Sequence, residues 1–308
     1  MGHFMKNCMP LIISEFATWR LNGTVVPLYD TLGIEAIAHV CCEAELRTVL
    51  CGPASAALLL RSIGDCPEKY EALKNIIIAN GEATDEIRAM AKERNITLYS
   101  FEGLIEEGQD LPDPELPKVE GSDFCMICYT SGTTGTPKGA LFSHINLVSV
   151  GAVCRGYIYE MSHFGRNDYY ISYLPMAHAF EHFMQTACIA AGMGIGFSQG
   201  DTRKIVDDFK ALRPSVFASV PRLLERIIGK VKDEVAHRSW MVRMMWNVAY
   251  ASKVGVVMGC DGIEEHHHAL QQQLLPSVGR ADLQTHSARC RSGQRACNGY
   301  RLGTHHRG

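Results

Sequence analysis

The stretch Tyr129-Thr-Ser-Gly-Thr-Thr-Gly-Thr-Pro-Lys-Gly-Ala140 gathers glycines, hydroxyl side chains and one lysine directly behind a short apolar run, Phe124-Cys-Met-Ile-Cys128. Length and composition make that run a buried strand. Glycines let the backbone turn sharply and bring amide N–H groups close to an anion. The hydroxyls of Thr130, Ser131, Thr133 and Thr134 can donate to phosphate oxygens, and Lys138 adds a charge-assisted donor. A strand feeding such a loop is a phosphate cradle, so the first inference is a nucleotide-using protein. The Walker pattern needs Gly-Lys followed by Ser or Thr. Here Lys138 follows Pro137 and precedes Gly139, so that pattern fails. The plainer alternative, a Gly/Thr-rich hairpin, gives no reason for hydroxyls, proline and lysine to stand together.

On these residues the segment resembles the phosphate-binding loop of the adenylate-forming superfamily, which includes acyl-CoA synthetases, luciferases and peptide-synthetase adenylation domains. Three further segments are similar to long-chain fatty acyl-CoA synthetases in particular. They are Val26-Pro-Leu-Tyr-Asp-Thr-Leu-Gly33, Ser172-Tyr-Leu-Pro-Met-Ala-His-Ala-Phe-Glu-His182 and Ser219-Val-Pro-Arg-Leu-Leu-Glu-Arg226. The resemblance runs from about Asn22 to about Glu234 and implies ATP, a long-chain fatty acid and CoA as substrates, with Mg²⁺. It implies that Thr130, Ser131, Thr133, Thr134 and Lys138 hold the β- and γ-phosphates. Gly132, Thr136, Pro137 and Gly139 share the nucleotide loop, in which Gly132, Gly135 and Gly139 provide flexibility. It places His178 beside the acyl carboxylate and the thiol entry route, as the catalytic residue; a hydrogen-bonded core histidine is the bland alternative. Glu181 and His182 are candidates to support the site or line its channel, or simply helix-start residues. No protein metal ligand is assigned, because the family's Mg²⁺-binding glutamate lies in a Tyr-Gly-x-Thr-Glu segment this chain lacks.

The elements that must position these residues alternate in the manner of a doubly wound α/β domain with helices flanking parallel sheets. Strands are expected at Thr24–Tyr29, Leu46–Cys51, Asn75–Ala79 and Asn95–Tyr99, the third buried on both faces. Helices are expected at Gly33–Glu45, Ala54–Ile63 and from Thr84, a cap with Asp85 and Glu86 in the first turn, to about Arg94. The proline-rich Leu111–Lys118 marks a boundary. Beyond the phosphate loop the expected order is a return strand Gly139–Ser143, helix Asn146–Tyr159, strand Tyr169–Leu174 and a helix turning into a buried strand over Thr186–Phe197. Helix Thr202–Leu212, strand Ser215–Val220 and one long helical stretch from Pro221 to about Val257 follow.

The division is therefore a partial AMP-binding domain over 1–258, with parts at about 1–110 and 119–258, and a low-complexity tail over 259–308. That tail holds six arginines, no lysine, and six of the thirteen histidines, and it lacks a sustained hydrophobic period. The expectation is a truncated synthetase, without the family's C-terminal domain and inactive as it stands, joined to a tail from another frame or exon. The tail's Cys260, Cys290 and Cys297 do not pair at zinc-ligand spacing.

A net charge of −3 without a basic helix or aromatic-plus-basic platform argues against nucleic-acid binding. No apolar run reaches the ~18–20 residues of a membrane span, and Met1–Lys6 lacks signal-peptide order. The expected location is cytoplasmic, or the cytosolic face of the endoplasmic reticulum or another membrane, where peripheral association suits a fatty-acid substrate. Twelve cysteines show no disulfide framework. Cys125 and Cys128, three apart on a strand, point to opposite faces and serve packing. Two rival functions stand beside the ligase: a non-catalytic fatty-acid or partner-binding fragment, and an adenylating ligase for another carboxylic acid.

Overall fold

The computed structural model describes residues 1–29, 33–131, 137–162, 164–201 and 203–258. The chain forms two compact units, Met1–Val220 and the residues from Pro221 onward.

The first unit opens with β1 (Gly2–Phe4), α1 (Met9–Arg20), β2 (Val26–Pro27), α2 (Ile34–Glu43), β3 (Thr48–Cys51) and α3 (Pro53–Asp65). β4 (Asn75–Ile78), α4 (Asp85–Glu93), β5 (Thr97–Ser100) and α5 (Phe101–Gln109) follow. The five strands make one parallel sheet in the order β2-β1-β3-β4-β5. Parallel strands need helical crossovers that cover the sheet faces, so the central strands are mostly apolar, with His3, Thr48 and Asn75 as the exceptions. Val49, Leu50 and Cys51 are fully buried, and Val49 and Cys51 belong to one cluster with Ile37, Val40, Leu59 and Ile76. The expected two-sided burial of Asn75–Ala79 needs correction: Ile76 and Ile78 are buried but Ile77 is only half-buried. Leu50, Ile77 and Tyr99 stand in register, and burial falls across that row from complete to exposed as the β5 edge is reached.

β1, α1 and α5 were not anticipated. β1 has three residues, and α1 buries Ser14 and Glu15 alongside Pro10, Leu11 and Trp19, which breaks the apolar period. α5 buries no residue at all. By contrast α4 begins as expected, with the Thr84 hydroxyl accepting from Ile87 N at 3.3 Å ahead of Asp85 and Glu86. Thr84→Ala should therefore cost about 1 kcal/mol, read as a lower urea midpoint at constant slope. An unchanged midpoint would show that the cap contributes nothing.

β6 (Phe124–Ser131) and β7 (Pro137–Ser143) form an antiparallel hairpin. It joins the parallel sheet through Val25, whose N–H donates to Cys125 O and whose carbonyl accepts from Ile127 N, both at 2.9 Å. α6 (His144–Ser162) leads to β8 (Tyr169–Ser172), α7 (Ala179–Ala191), β9 (Gly194–Phe197) and α8 (Ile205–Leu212). β8 and β9 pair in parallel. β9, expected to be buried, is only half-buried. Its glycines serve close approach: a Cβ on Gly194 would lie 2.6 Å from the Tyr169 ring, and one on Gly196 2.5 Å from Leu212. The strand expected at Ser215–Val220 is reduced to a single bridge between Val216 and Tyr170.

In the second unit, α9 (Pro221–Ala236) and α10 (Trp240–Met258) replace the single long helix expected from Pro221. The chain breaks at 237–239, and Ser239 O restarts the ladder by accepting from Arg243 N at 3.1 Å. The tail expected over 259–308 lies outside the described residues.

Candidate active site

The hairpin arm carries residues expected to flank and form the nucleotide loop. Thr130 stands opposite Lys138 and Ser131 opposite Pro137, with Thr130 and Lys138 both exposed on the arm. Gly132, Thr133, Thr134, Gly135 and Thr136 lie outside the described residues. The arm is anchored from below. Tyr129 is buried in the main core, and burial together with the neighbouring Glu43 carboxylate raises its phenol above the ordinary range. Gly139 faces Tyr129 across the pair, and a Cβ there would stand 2.8 Å from Ile127 Cγ2 and 3.2 Å from Tyr129 Cζ. Its place is thus within β7, where packing rather than loop flexibility excludes a side chain.

Cys125 and Cys128 are buried in one small cluster with Trp19, Val25, Met126 and Leu147. The Cys125 thiol donates to Phe142 O at 3.4 Å and is pushed up to about 11 by burial. The Cys128 thiol donates to Ala177 O at 2.9 Å and is raised by burial too. Both are held as protonated packing groups, and the second one ties β6 to the segment that carries His178.

That segment, 173–178, is fixed from several sides. The Asn7 side-chain amide donates to Ser172 Oγ at 2.8 Å and to Leu174 O at 2.7 Å, while its oxygen accepts from Met176 N at 3.0 Å. His178 then takes the N-cap position of α7 with extended backbone, but its ring makes no capping bond. Instead Nδ1 lies 2.9 Å from Tyr29 Oη, with the rings edge to face at 5.0 Å and 78°. His178 is exposed, so it is not a core histidine.

Glu181 and His182 behave differently. Both are fully buried one turn into α7. Tyr170 Oη donates to Glu181 at 2.7 Å and Gln185 Nε2 donates to it at 3.0 Å. Burial raises the Glu181 carboxyl in spite of those bonds. His182 Nδ1 meets the Glu15 carboxylate of α1 at 3.1 Å. Burial alone would lower His182, but the Glu15 charge and hydrogen bond outweigh it, and the imidazolium is favoured. These two residues hold α7 in place rather than facing the surface that His178 presents.

Tyr29, Asn7 and Glu15 were missed as contributors. Tyr29 lies inside a segment already singled out, yet its partner is 149 residues away. Asn7 and Glu15 carry no signal in one sequence, since their partners stand 165 to 169 and 167 residues away.

Thus segments far apart in the chain meet: β6 reaches the His178 segment through Cys128, and Tyr29, just beyond β2, reaches His178 itself. The arrangement offers a cation and a hydroxyl on an exposed arm, and a tethered imidazole close by it in the fold.

Comparison with solved structures shows the same architecture. The adenylation domain of a carboxylate reductase from Mycobacterium chelonae matches with a TM-score of 0.66 at 18% identity, covering 77% of this chain and 38% of that one. The corresponding domain from Segniliparus rugosus, solved in complex with AMP and a co-purified carboxylic acid, gives 0.65 at 15% identity over 79% of this chain and 41% of that one. Among sequences, the chain is 37% identical to long-chain-fatty-acid–CoA ligase 5 of Rattus norvegicus over 259 residues, which is 83% of this chain and 37% of the relative. It is also 37% identical to the peroxisomal long chain acyl-CoA synthetase 7 of Arabidopsis thaliana over 253 residues, 82% of this chain and 35% of that one. The chain therefore spans little more than a third of the length of these curated relatives. The family model described as AMP-binding enzyme matches residues 2–276, so this chain belongs to the AMP-binding enzymes.

Proposed function

We propose that the chain forms the adenylating part of a long-chain fatty acid:CoA ligase. A fatty-acid carboxylate oxygen attacks the α-phosphorus of ATP, a P–O bond forms and pyrophosphate leaves. The thiol of CoA, giving up its proton, then attacks the acyl carbon, and AMP departs from acyl-CoA. The observation that carries this reading is the convergence of the hairpin arm and the His178 segment through the Cys128 thiol and Tyr29. In both steps negative charge gathers on phosphate or carbonyl oxygens, so preorganised donors carry most of the stabilisation.

In this reading Lys138 and Thr130 engage the β- and γ-phosphates, with Ser131, Thr133 and Thr134 completing the cradle. His178 stands beside the acyl group. Mg²⁺ accompanies ATP and offsets phosphate charge when bound. Such an ion is usually held by the nucleotide phosphates with one or two carboxylates, and no residue is assigned to it here. The organisation that goes with this reading is a partial AMP-binding domain over 1–258 followed by a low-complexity tail. The working location is the cytoplasm or the cytosolic face of the endoplasmic reticulum or another membrane, where long-chain fatty acids partition. Among the described residues no helix is long and apolar enough to cross a membrane.

The test is a chimera in which residues 2–258 replace the matching part of the rat ligase. Palmitate-dependent pyrophosphate exchange is expected. A folded chimera that binds palmitate without exchange would favour a non-catalytic fragment, and exchange only with short or aryl acids would favour another ligase. In the active chimera, His178→Ala should slow acyl transfer by about 10²-fold while changing ATP affinity little. Equal losses in both, with a lowered melting temperature, would leave His178 a merely structural cap.

A further inference from the structure

We propose that Tyr29 is a positioning residue that fixes the tautomer of His178: its phenol O–H donates to Nδ1, so the ring proton resides on Nε2 and His178 presents a hydrogen-bond donor, not a base, to the acyl group. A neutral imidazole carries one proton, and the bond made by one nitrogen decides which atom holds it. Tyr29 Oη lies 2.9 Å from Nδ1, and the edge-to-face ring contact keeps the imidazole from turning over. The phenol has one proton, and among the described residues Nδ1 is its one hydrogen-bond partner. A phenol is the stronger donor and a neutral imidazole nitrogen the stronger acceptor, so donation from Oη to Nδ1 is the favoured direction of this bond. Burial, with a smaller push from Cys128, moves the Tyr29 phenol up to about 12, so it keeps that proton.

Both ends of the pair are rigidly mounted. On the Tyr29 side, Leu28 is buried and its N–H donates to His3 O at 2.8 Å, which continues the β1–β2 pairing. On the His178 side, Asn7 holds the segment at Leu174 and Met176, and Cys128 holds it at Ala177. An imidazole mounted this way cannot swap its nitrogens without breaking the Tyr29 bond.

The chemical consequence rests on the ligase reading above. When the CoA thiol attacks the acyl-adenylate, charge develops on the carbonyl oxygen. A pre-aimed Nε2–H stabilises that oxygen and takes up no proton. His178 then acts by donating, and the thiol proton leaves by another route, to water.

The 308-residue chain labelled with ¹⁵N-histidine tests the tautomer directly, with the His178 signals assigned by their loss in His178→Ala. At a pH where the ring is neutral, wild type should show Nδ1 unprotonated and Nε2 protonated. Tyr29→Phe, which keeps the ring contact and removes only the O–H, should show a mixture of both tautomers with the melting temperature unchanged. Nδ1–H in the wild type, or an identical His178 pattern in Tyr29→Phe, overturns the proposal. In the chimera, His178→Gln retains an N–H donor at the end of its side chain and should recover about tenfold of the acyl-transfer rate that His178→Ala loses, roughly one hydrogen bond to a charged group. Equal rates for His178→Gln and His178→Ala would refute the donor role. If instead His178→Ala leaves acyl transfer intact while Tyr29→Phe still mixes the tautomers, the ligase role of His178 fails and the positioning by Tyr29 stands.

Discussion

Lys138→Ala in the chimera is expected to lower ATP-dependent pyrophosphate exchange by about 10²-fold, with palmitate binding and melting temperature left nearly unchanged. Lys138 is the only cation between Phe124 and Ser143. It is exposed on β7 opposite Thr130, so its removal takes away no buried packing. The loss is therefore confined to what the ammonium does for an anion. One preorganised charged donor contributes on the order of 3 kcal/mol where charge develops in a transition state, which is about two powers of ten in rate. Lys138→Arg keeps the charge but changes its shape from a compact ammonium to a planar fork, so it should recover only part of the activity. Unchanged exchange kinetics in Lys138→Ala would remove the hairpin from the nucleotide site. A large drop in melting temperature would show that the lysine has a structural duty which its exposure does not reveal.

The two strands around the loop could be anticipated because their signals are local, although they run on to Ser131 and start at Pro137, inside the stretch read as loop. Glycines, hydroxyls and a lysine within one short stretch suggest an anion-binding loop, and the apolar Phe124–Cys128 run before them reads as a strand without help from elsewhere. Helices α2, α3 and α4 are legible for the same reason. Each shows apolar residues every third or fourth position, as Ile37, Ala38 and Cys41 do on α2, with Thr84 supplying a local start signal for α4.

What escaped the sequence is whatever depends on a distant partner. α1 buries Ser14 and Glu15, which look like surface residues until His3 and His182 are placed beside them. β1 lies inside the sheet although only three residues long, because β2 and β3 flank it on both sides. Ser215–Val220 has strand-like composition but finds a β8 partner only at Val216. The same rule holds at the site. His178 was legible from its setting in Leu174-Pro-Met-Ala-His178, whereas the atom that orients its ring was not. A tyrosine 149 residues upstream is chosen by the fold, and no local period encodes it.

Breaking the pair between α1 and α7 is expected to have the largest effect on stability: His182→Ala should cost about 3–5 kcal/mol by chemical denaturation. The imidazole and the Glu15 carboxylate are both buried, at 3.1 Å, and removing one partner strands the other's charge in the core. Replacing both by leucine should recover much of the loss, since the penalty is the uncompensated charge and not the missing attraction. The pH dependence has a definite sign. His182 is raised in the fold, so its contribution is fully present below the unfolded value of about 6.5 and is lost as pH rises through the higher folded value. His3 runs the other way. Burial first, and then the N-terminal and His182 charges, push it down to about 3, so stability drains as pH falls from about 6.5 toward that value. His3 remains in both proteins, so the wild-type stability minus that of His182→Gln reports chiefly the His182 contribution, together with the smaller effect of the His182 charge on His3. That difference should be largest below about pH 6.5 and shrink above it. A difference that stays flat from acid to alkaline pH would mean that Glu15 does not hold a proton on His182. Because α7 begins directly after His178, the same variant should also blur the Nε2 tautomer signal, which links this buried pair to the exposed imidazole it supports.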